Sequence, residues 1–243
     1  GAGRIVYQDL AKINLAVANN SMAQEQVLVD AFQYAKDKNV NLHLLGLVSD
    51  GGVHSHTSHL RGLIDATQAF GLEKVFVHAF TDGRDVDPKS AKTDIQNLEN
   101  YIANTSAKIA SVVGRYYAMD RDKRWERVKI AYDLLVNGTG THSENAVKSI
   151  EESYENNVTD EFINPIIMVD ENDQPLATIK ENDVVVFFNF RTDRGRELTE
   201  TLSQRDFHEQ NMHKLNLYYV TLTNYDETYE NVKVVYNKDN VTE

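Results

Sequence analysis

Three observations predict an α/β fold of three layers, with a mostly parallel central sheet flanked by helices. Apolar runs of strand length are each followed by a polar loop and then by a stretch of helical periodicity, and this order recurs three times before Gly140. The runs are continuously apolar rather than alternating, as in strands covered on both faces. Charged groups gather where the runs end, and in open α/β sheets ligands bind in the crevice beyond the carboxyl ends of the strands.

Ile5, Leu10, Ile13 and Val17 recur at near-helical spacing, and Val27, Leu28, Ala31 and Tyr34 repeat the pattern between Met22 and Ala35, with Ser21 as the expected N-cap. Two helices therefore precede the first strand, Leu42 to Val48. A loop with three histidines follows, then a helix marked by Leu60, Leu63, Ile64 and Thr67 and stopped by Gly71. Lys74 to Phe80 is the second strand, and its exit loop runs from Thr81 to Pro88, with Asp87 as N-cap and Pro88 at the first helical position. Ala91, Ile95, Leu98 and Ile102 line the next helix. Lys108 to Val113 is the third strand and leaves through Gly114 to Arg121, after which Trp125, Val128, Tyr132 and Leu135 stripe a helix that ends at Asn137 to Gly140. The following part is less regular. Asn145 to Tyr154 reads as helix and Ile166 to Val169 as a short strand, with a turn at Asp170 to Asp173 opening a small β-hairpin towards Leu176 to Ile179. Asp183 to Phe190 is the most apolar strand and runs into Arg191 to Arg194 at an expected helix start. Leu215 to Leu222 and Val232 to Tyr236 close the sheet. With no repeat, low-complexity tract or linker, a single domain over residues 1–243 is expected.

With 25 basic against 37 acidic residues the formal charge is −12, which disfavours nucleic acid and anionic membranes unless basic groups are locally concentrated. The absence of cysteine excludes disulfides, thiolate metal sites and cysteine nucleophiles. No bilayer-length apolar run or signal-peptide pattern occurs, so a cytoplasmic protein is expected. Gly1 to Arg4 lacks an initiator methionine, and the chain is read as an excised piece of a longer one.

Four strand ends carry charge: His54, His56 and His59; Arg84 and Asp85; Arg115 and Arg121; Arg191 and Arg194. In a parallel sheet these exits share one edge. Arginines gathered on one rim of an acidic protein make an anion pocket, because guanidinium forks match carboxylate and phosphate oxygens. Arg191 and Arg194, at i and i+3 in a first helical turn, can reach one target aided by the helix N-terminus, although pairing with Asp193, Glu197 or Glu200 on a solvated face is an equal reading. Gly114 beside Arg115 allows close backbone approach. Asp82 reads as turn chemistry, Asp85 as a carboxylate able to take a substrate proton, and His54 as a donor to a ligand oxygen or a proton shuttle. His43 and His78 read as sheet packing. A rival reading makes His54, His56 and His59, with Asp50 upstream, a metallohydrolase centre, although no HExxH or second acidic cluster completes it. A third makes the chain an anion-binding module without catalysis. No P-loop or GxGxxG follows any strand.

Taken together, Gly1 to Leu10, Ser49 to His56, Asp82 to Asp85, Gly114 to Arg121 and Phe188 to Arg194 resemble the cofactor-independent (2,3-bisphosphoglycerate-independent) phosphoglycerate mutases, in family order along the whole chain. The resemblance implies half of a two-domain isomerase of glycolysis and gluconeogenesis. An alkaline-phosphatase-like domain would hold two manganese ions and a nucleophilic serine, and an inserted domain would grip the glycerate. This chain is similar to the inserted domain alone, so neither the nucleophile nor a metal site is expected in it. By position His54, Arg84, Asp85, Arg115, Arg121, Arg191 and Arg194 match the family's substrate contacts, and Asp85 and His54 its catalytic groups, with Asp85 as general acid/base. Thr192 stands where many members have proline. The implied partners are 3-phosphoglycerate, 2-phosphoglycerate and the phosphatase-like domain, in a monomer with hinges at 1–7 and 237–243 whose isolated substrate domain is inactive.

Overall fold

The computed structural model describes residues 2–237, with side chains from residue 8 onward. Helices α1 (Ala2–Ala18) and α2 (Gln26–Lys38) lead into β1 (Leu42–Leu47), followed by α3 (Thr57–Phe70), β2 (Val75–Thr81), α4 (Ala91–Ile102) and β3 (Ala107–Gly114). A single turn α5 (Arg115–Ala118) precedes α6 (Trp125–Asn137), β4 (Thr141–Ser143), α7 (Ala146–Glu155) and β5 (Ile166–Met168). Then come β6 (Val184–Phe187), the one-turn α8 (Arg196–Thr199), β7 (Tyr218–Thr221) and β8 (Val232–Val234). Residues 1 and 238–243, within the segments expected as hinges, lie outside the described residues.

Among the described residues the eight strands form one sheet in the order β4-β5-β3-β2-β1-β6-β7-β8. All neighbours run parallel except β3 and β5, which pair antiparallel through Ser111, Val112, Ile166 and Ile167. The order reverses at β1, because the chain builds outward through β2 and β3 on one side and through β6, β7 and β8 on the other. That reversal opens a crevice between the ends of β1 and β6.

Both faces of the sheet are covered, which is why the strands read as continuously apolar. Leu42, Leu44, Val184 and Val186 pack on one side with Ile13, Leu28, Phe32, Leu60, Leu63 and Ile95. Leu45, Leu47, Val185 and Phe187 face the other side with Val128, Leu135, Leu198 and Tyr219. The two-residue alternation assigns each strand's side chains to the two layers. Gly46 leaves room for Phe188, whose ring lies 2.6 Å from where a Cβ would stand. His43 and His78 are buried in the sheet, as their strand positions imply. Asp183, His43, His78 and Ser111 join across four chain segments through contacts of 2.8 Å each, and burial beside His43 pushes His78 well below its usual range.

Several local expectations change. Ser21 opens a short 3-10 turn instead of capping α2, whose N-cap is Glu25. Asp87 accepts from the Lys89 amide, but α4 begins only at Ala91, and the Ala91 amide donates to Asp160 across 2.8 Å. A long-range carboxylate thus serves the helix end that a local one was expected to serve. The hairpin shrinks to its turn and one antiparallel bridge, Val169 to Pro175, and no strand forms at Leu176 to Ile179. The Ile179 amide instead donates to the Leu135 carbonyl across 2.8 Å. Among the described residues no helix is long and apolar enough to cross a membrane.

Candidate anion-binding site

Arg115 forms the floor of the crevice. It follows β3 directly and is only 3% exposed. One guanidinium nitrogen donates to both Asp82 and Asp85 across 2.8 Å, and the other lies 3.2 Å from His54 Nε2. A buried arginine needs this many acceptors to offset its lost hydration. Asp82 is buried as well and gathers the turn around itself, accepting from Ser49 Oγ at 2.6 Å and from the Arg84 and Asp85 amides at 3.1 Å. Burial alone would raise its carboxyl, but the hydrogen bonds from Ser49, the Asp85 amide and Arg115 hold it below the usual range.

Because the Arg115 guanidinium can only donate, His54 Nε2 must accept, and the imidazole proton resides on Nδ1. Burial first, and then the charge of Arg115, lower the His54 pKa to about 4. Nδ1–H is therefore the donor that the neutral ring offers. His54 Nδ1 lies 4.0 Å from Asp193 Oδ1, and among the described residues neither buried atom has a hydrogen-bond partner, although Arg191 Nε stands 3.3 Å from that oxygen. A donor and an acceptor therefore face the same gap. The loop is held in place by its backbone, since the His54 carbonyl accepts from the Phe190 amide, three residues beyond β6, across 2.9 Å.

Around this floor stands a more exposed rim. Arg121 donates to Asp193 across 3.1 Å, Arg191 Nε approaches the same carboxylate at 3.3 Å, and Arg194 donates to the Met119 carbonyl at 2.9 Å. Among the described residues Arg84 reaches only Glu161, at 3.5 Å. Burial, followed by the charges of Arg115, Arg121 and Arg84, lowers the Arg194 pKa. Arginines that disfavour one another's charge need an anion between them. Side-chain exposures of 55% for Arg84, 46% for Arg121 and 42% for Arg191 leave these guanidinium groups free to turn onto a ligand.

The structure thus brings together the seven residues singled out by sequence, His54, Arg84, Asp85, Arg115, Arg121, Arg191 and Arg194. It differs in how the last two are held. Arg191 lies in a bend, Asp193–Gly195 is a 3-10 turn, and α8 has four residues, so no helical first turn aims this pair. Gly114 is also explained differently. A Cβ there would stand 2.3 Å from the Glu161 carbonyl oxygen, so the glycine admits the 160–163 turn rather than a ligand. Sequence reasoning undervalued Asp82 and Asp193. A carboxylate just before glycine looks like any turn, and only burial and its four donors separate Asp82 from one.

The three histidines of the first loop take separate positions. His56 caps α3 by accepting from the Ser58 amide, and His59 is buried with Nε2 on Asn14 at 2.7 Å and its ring against Phe190. His54 alone faces the crevice. Among the described residues no group of three or more histidine, cysteine, aspartate or glutamate side chains is placed to hold a metal ion.

The family model described as BPG-independent PGAM N-terminus matches residues 13–227. The 2,3-bisphosphoglycerate-independent phosphoglycerate mutase of Flavobacterium psychrophilum is 76% identical over 243 residues, covering all of this chain and 48% of that protein. The enzyme of the same name from Bacteroides fragilis is 52% identical over 242 residues, covering 99% of this chain and 47% of its own length. The chain therefore spans about half the length of the curated relatives it matches. Crystal structures of Leishmania mexicana phosphoglycerate mutase at low cobalt concentration superpose with a TM-score of 0.84 and 31% identity, covering 90% of this chain and 42% of that one.

Proposed function

The chain belongs to the BPG-independent PGAM N-terminus family, and from that premise we propose that it is the substrate-binding domain of a phosphoglycerate mutase that interconverts 3-phosphoglycerate and 2-phosphoglycerate. The observation that carries this reading is the convergence of five arginines, His54 and Asp85 on the crevice where the strand order reverses. A phosphoglycerate carries a carboxylate and a phosphate on one short carbon chain, and guanidinium groups match the oxygens of both.

In this reading the rim arginines Arg84, Arg121, Arg191 and Arg194 take the anionic groups, while the buried Arg115 fixes Asp85 and His54. Phosphoryl transfer depends on positioning and charge stabilisation more than on covalent chemistry by the protein. The domain's task is to keep the glycerate bound while the phosphate resides on a serine of the phosphatase-like half, and to present the other hydroxyl for its return. Asp85, held by Arg115 at 2.8 Å and partly open to the crevice, is the group that accepts and returns the hydroxyl proton. His54 Nδ1–H donates to a substrate oxygen. Two manganese ions would activate the serine in the other half. The three histidines of the first loop, His54, His56 and His59, are turned to Arg115, Ser58 and Asn14 and do not fit that metal pair, so no step here runs through it. The same reading takes the whole protein as a cytoplasmic monomer.

An enolase-coupled assay with added manganese tests the division of labour. This chain alone is expected to show no turnover, and sustained turnover would overturn the assignment.

A further inference from the structure

We propose that Glu197 is a positioning residue for the anion pocket, sharing one proton with Asp120 so that the loop carrying Arg121 stays fastened to the segment carrying Arg194. The inference rests on the reading of the arginine rim as the phosphoglycerate pocket, although the fastening itself is testable without ligand.

Glu197 is the second residue of α8, and Asp120 lies in the loop between α5 and α6. Both side chains are buried. Asp120 Oδ2 accepts from the Asp122 amide at 3.1 Å and the Arg124 amide at 2.9 Å, which curls the loop around it. Glu197 Oε2 accepts from the Lys123 amide of the same loop at 3.2 Å. The other oxygen, Oε1, is buried with no donor among the described residues, and the Asp120 carboxyl lies within hydrogen-bonding reach of Glu197. Two carboxylates in contact out of water repel each other, whereas one added proton converts them into a donor and an acceptor.

The surrounding charges do not neutralise the pair. Arg127, from α6, stands 3.8 Å from Asp120 Oδ1 and lies over the Tyr116 ring at 3.9 Å. Glu200, one turn along from Glu197, adds negative charge, and Lys123 and Arg124 contribute their backbone amides. Burial, followed by the hydrogen bond to Asp120, pushes the Glu197 carboxyl far above its usual range, while Asp120 is held low. The pair therefore keeps one shared proton at neutral pH. Its loss would put two buried anions side by side in the two segments that carry Arg121, whose partner is Asp193, and Arg194, whose acceptor is the Met119 carbonyl.

Amide hydrogen exchange of Lys123 and Arg124, taken relative to intrinsic rates, tests this from about pH 7 to about pH 9.5. In the unmodified chain, protection is expected to fall at least about fivefold over that range, whereas in Glu197→Gln, whose amide keeps a permanent donor, it should change less than about twofold. The affinity for 3-phosphoglycerate should follow the same two curves, since the ligand phosphate, with its second pKa of about 6, is already ionised. Protection that is independent of pH in the unmodified chain, or that falls equally in the variant, would overturn the proposal. Protection behaving as expected with no 3-phosphoglycerate bound at any pH would support the fastening and overturn the ligand assignment. Should Glu197→Gln fail to fold, Asp120→Asn and the carboxyl-carbon NMR titration of Glu197 in the unmodified chain remain decisive. A midpoint above about 6.5 supports the shared proton, and a lower one refutes it.

Discussion

Acid should destabilise this protein through His54 before most carboxylates titrate. The buried imidazole lies against Arg115, and its pKa is lowered from 6.5 to about 4, a gap worth about 3 kcal/mol. The unfolded chain takes up this proton first, as pH falls through about 6.5, and the folded protein only near 4. The stabilising contribution of the neutral imidazole is therefore complete above about 6.5 and is lost between there and about 4. His59, also lowered to about 4 by burial and then by His56, acts with the same sign. Asp94 acts oppositely, because burial raises its carboxyl to about 6 and the folded state keeps a proton that the unfolded chain has released. The whole-protein curve mixes these effects, so the quantity to measure is a difference. Urea unfolding of the unmodified chain and His54→Gln, compared between about pH 7 and pH 4, should shift in favour of the variant by about 3 kcal/mol on acidification. A difference constant across that window would refute the burial argument.

Three further outcomes follow from the geometry. Arg191→Ala should weaken 3-phosphoglycerate binding by about 10- to 100-fold in calorimetry, while stability changes by less than about 0.5 kcal/mol, because the arginine is exposed and paired only with Asp193. An unchanged dissociation constant would remove it from the pocket. Gly114→Ala should cost about 3 kcal/mol or more in chemical denaturation, since its Cβ would meet the backbone at Glu161 and Ile163 within 2.3 and 2.6 Å. Asp160→Ala should destabilise by about 2 kcal/mol and Asp87→Ala by less than about 1 kcal/mol, because Asp160 serves the Ala91 amide, Ser90 and Tyr154 whereas Asp87 serves one exposed amide. The reverse order of the two losses would contradict the reassigned cap.

Strands β1, β2, β3 and β6 were legible in the sequence because burial on both faces demands an apolar residue at nearly every position, leaving a signal that needs no partner to be read. Arg84, Arg115 and Arg191 could be placed at one edge from sequence because the parallel order fixes which strand ends coincide. What remained hidden were interactions between distant segments of the chain. The α4 cap comes from Asp160, 69 residues beyond the Ala91 amide it accepts from, so the local Asp87-Pro88 signal pointed elsewhere. The three-residue β4 has no apolar run, since Thr141 and His142 are exposed and only pairing with β5 makes it a strand. His54, His56 and His59 looked alike in the loop, and the fold separates them into a pocket donor, a helix cap and a buried packing group. Glu197 and Asp120, 77 residues apart, carried no motif at all.

The central claim is that the crevice between β1 and β6 binds a phosphoglycerate through residues brought from four strand ends. Titrating 3-phosphoglycerate into isotope-labelled chain and following its amide and imidazole signals tests this most directly. Shifts should concentrate at His54, Asp82 to Asp85, Arg115 to Arg121 and Arg191 to Arg194, saturate at millimolar ligand or below, and leave His54 neutral. Shifts confined to other surfaces, or none at about 10 mM ligand, would contradict it.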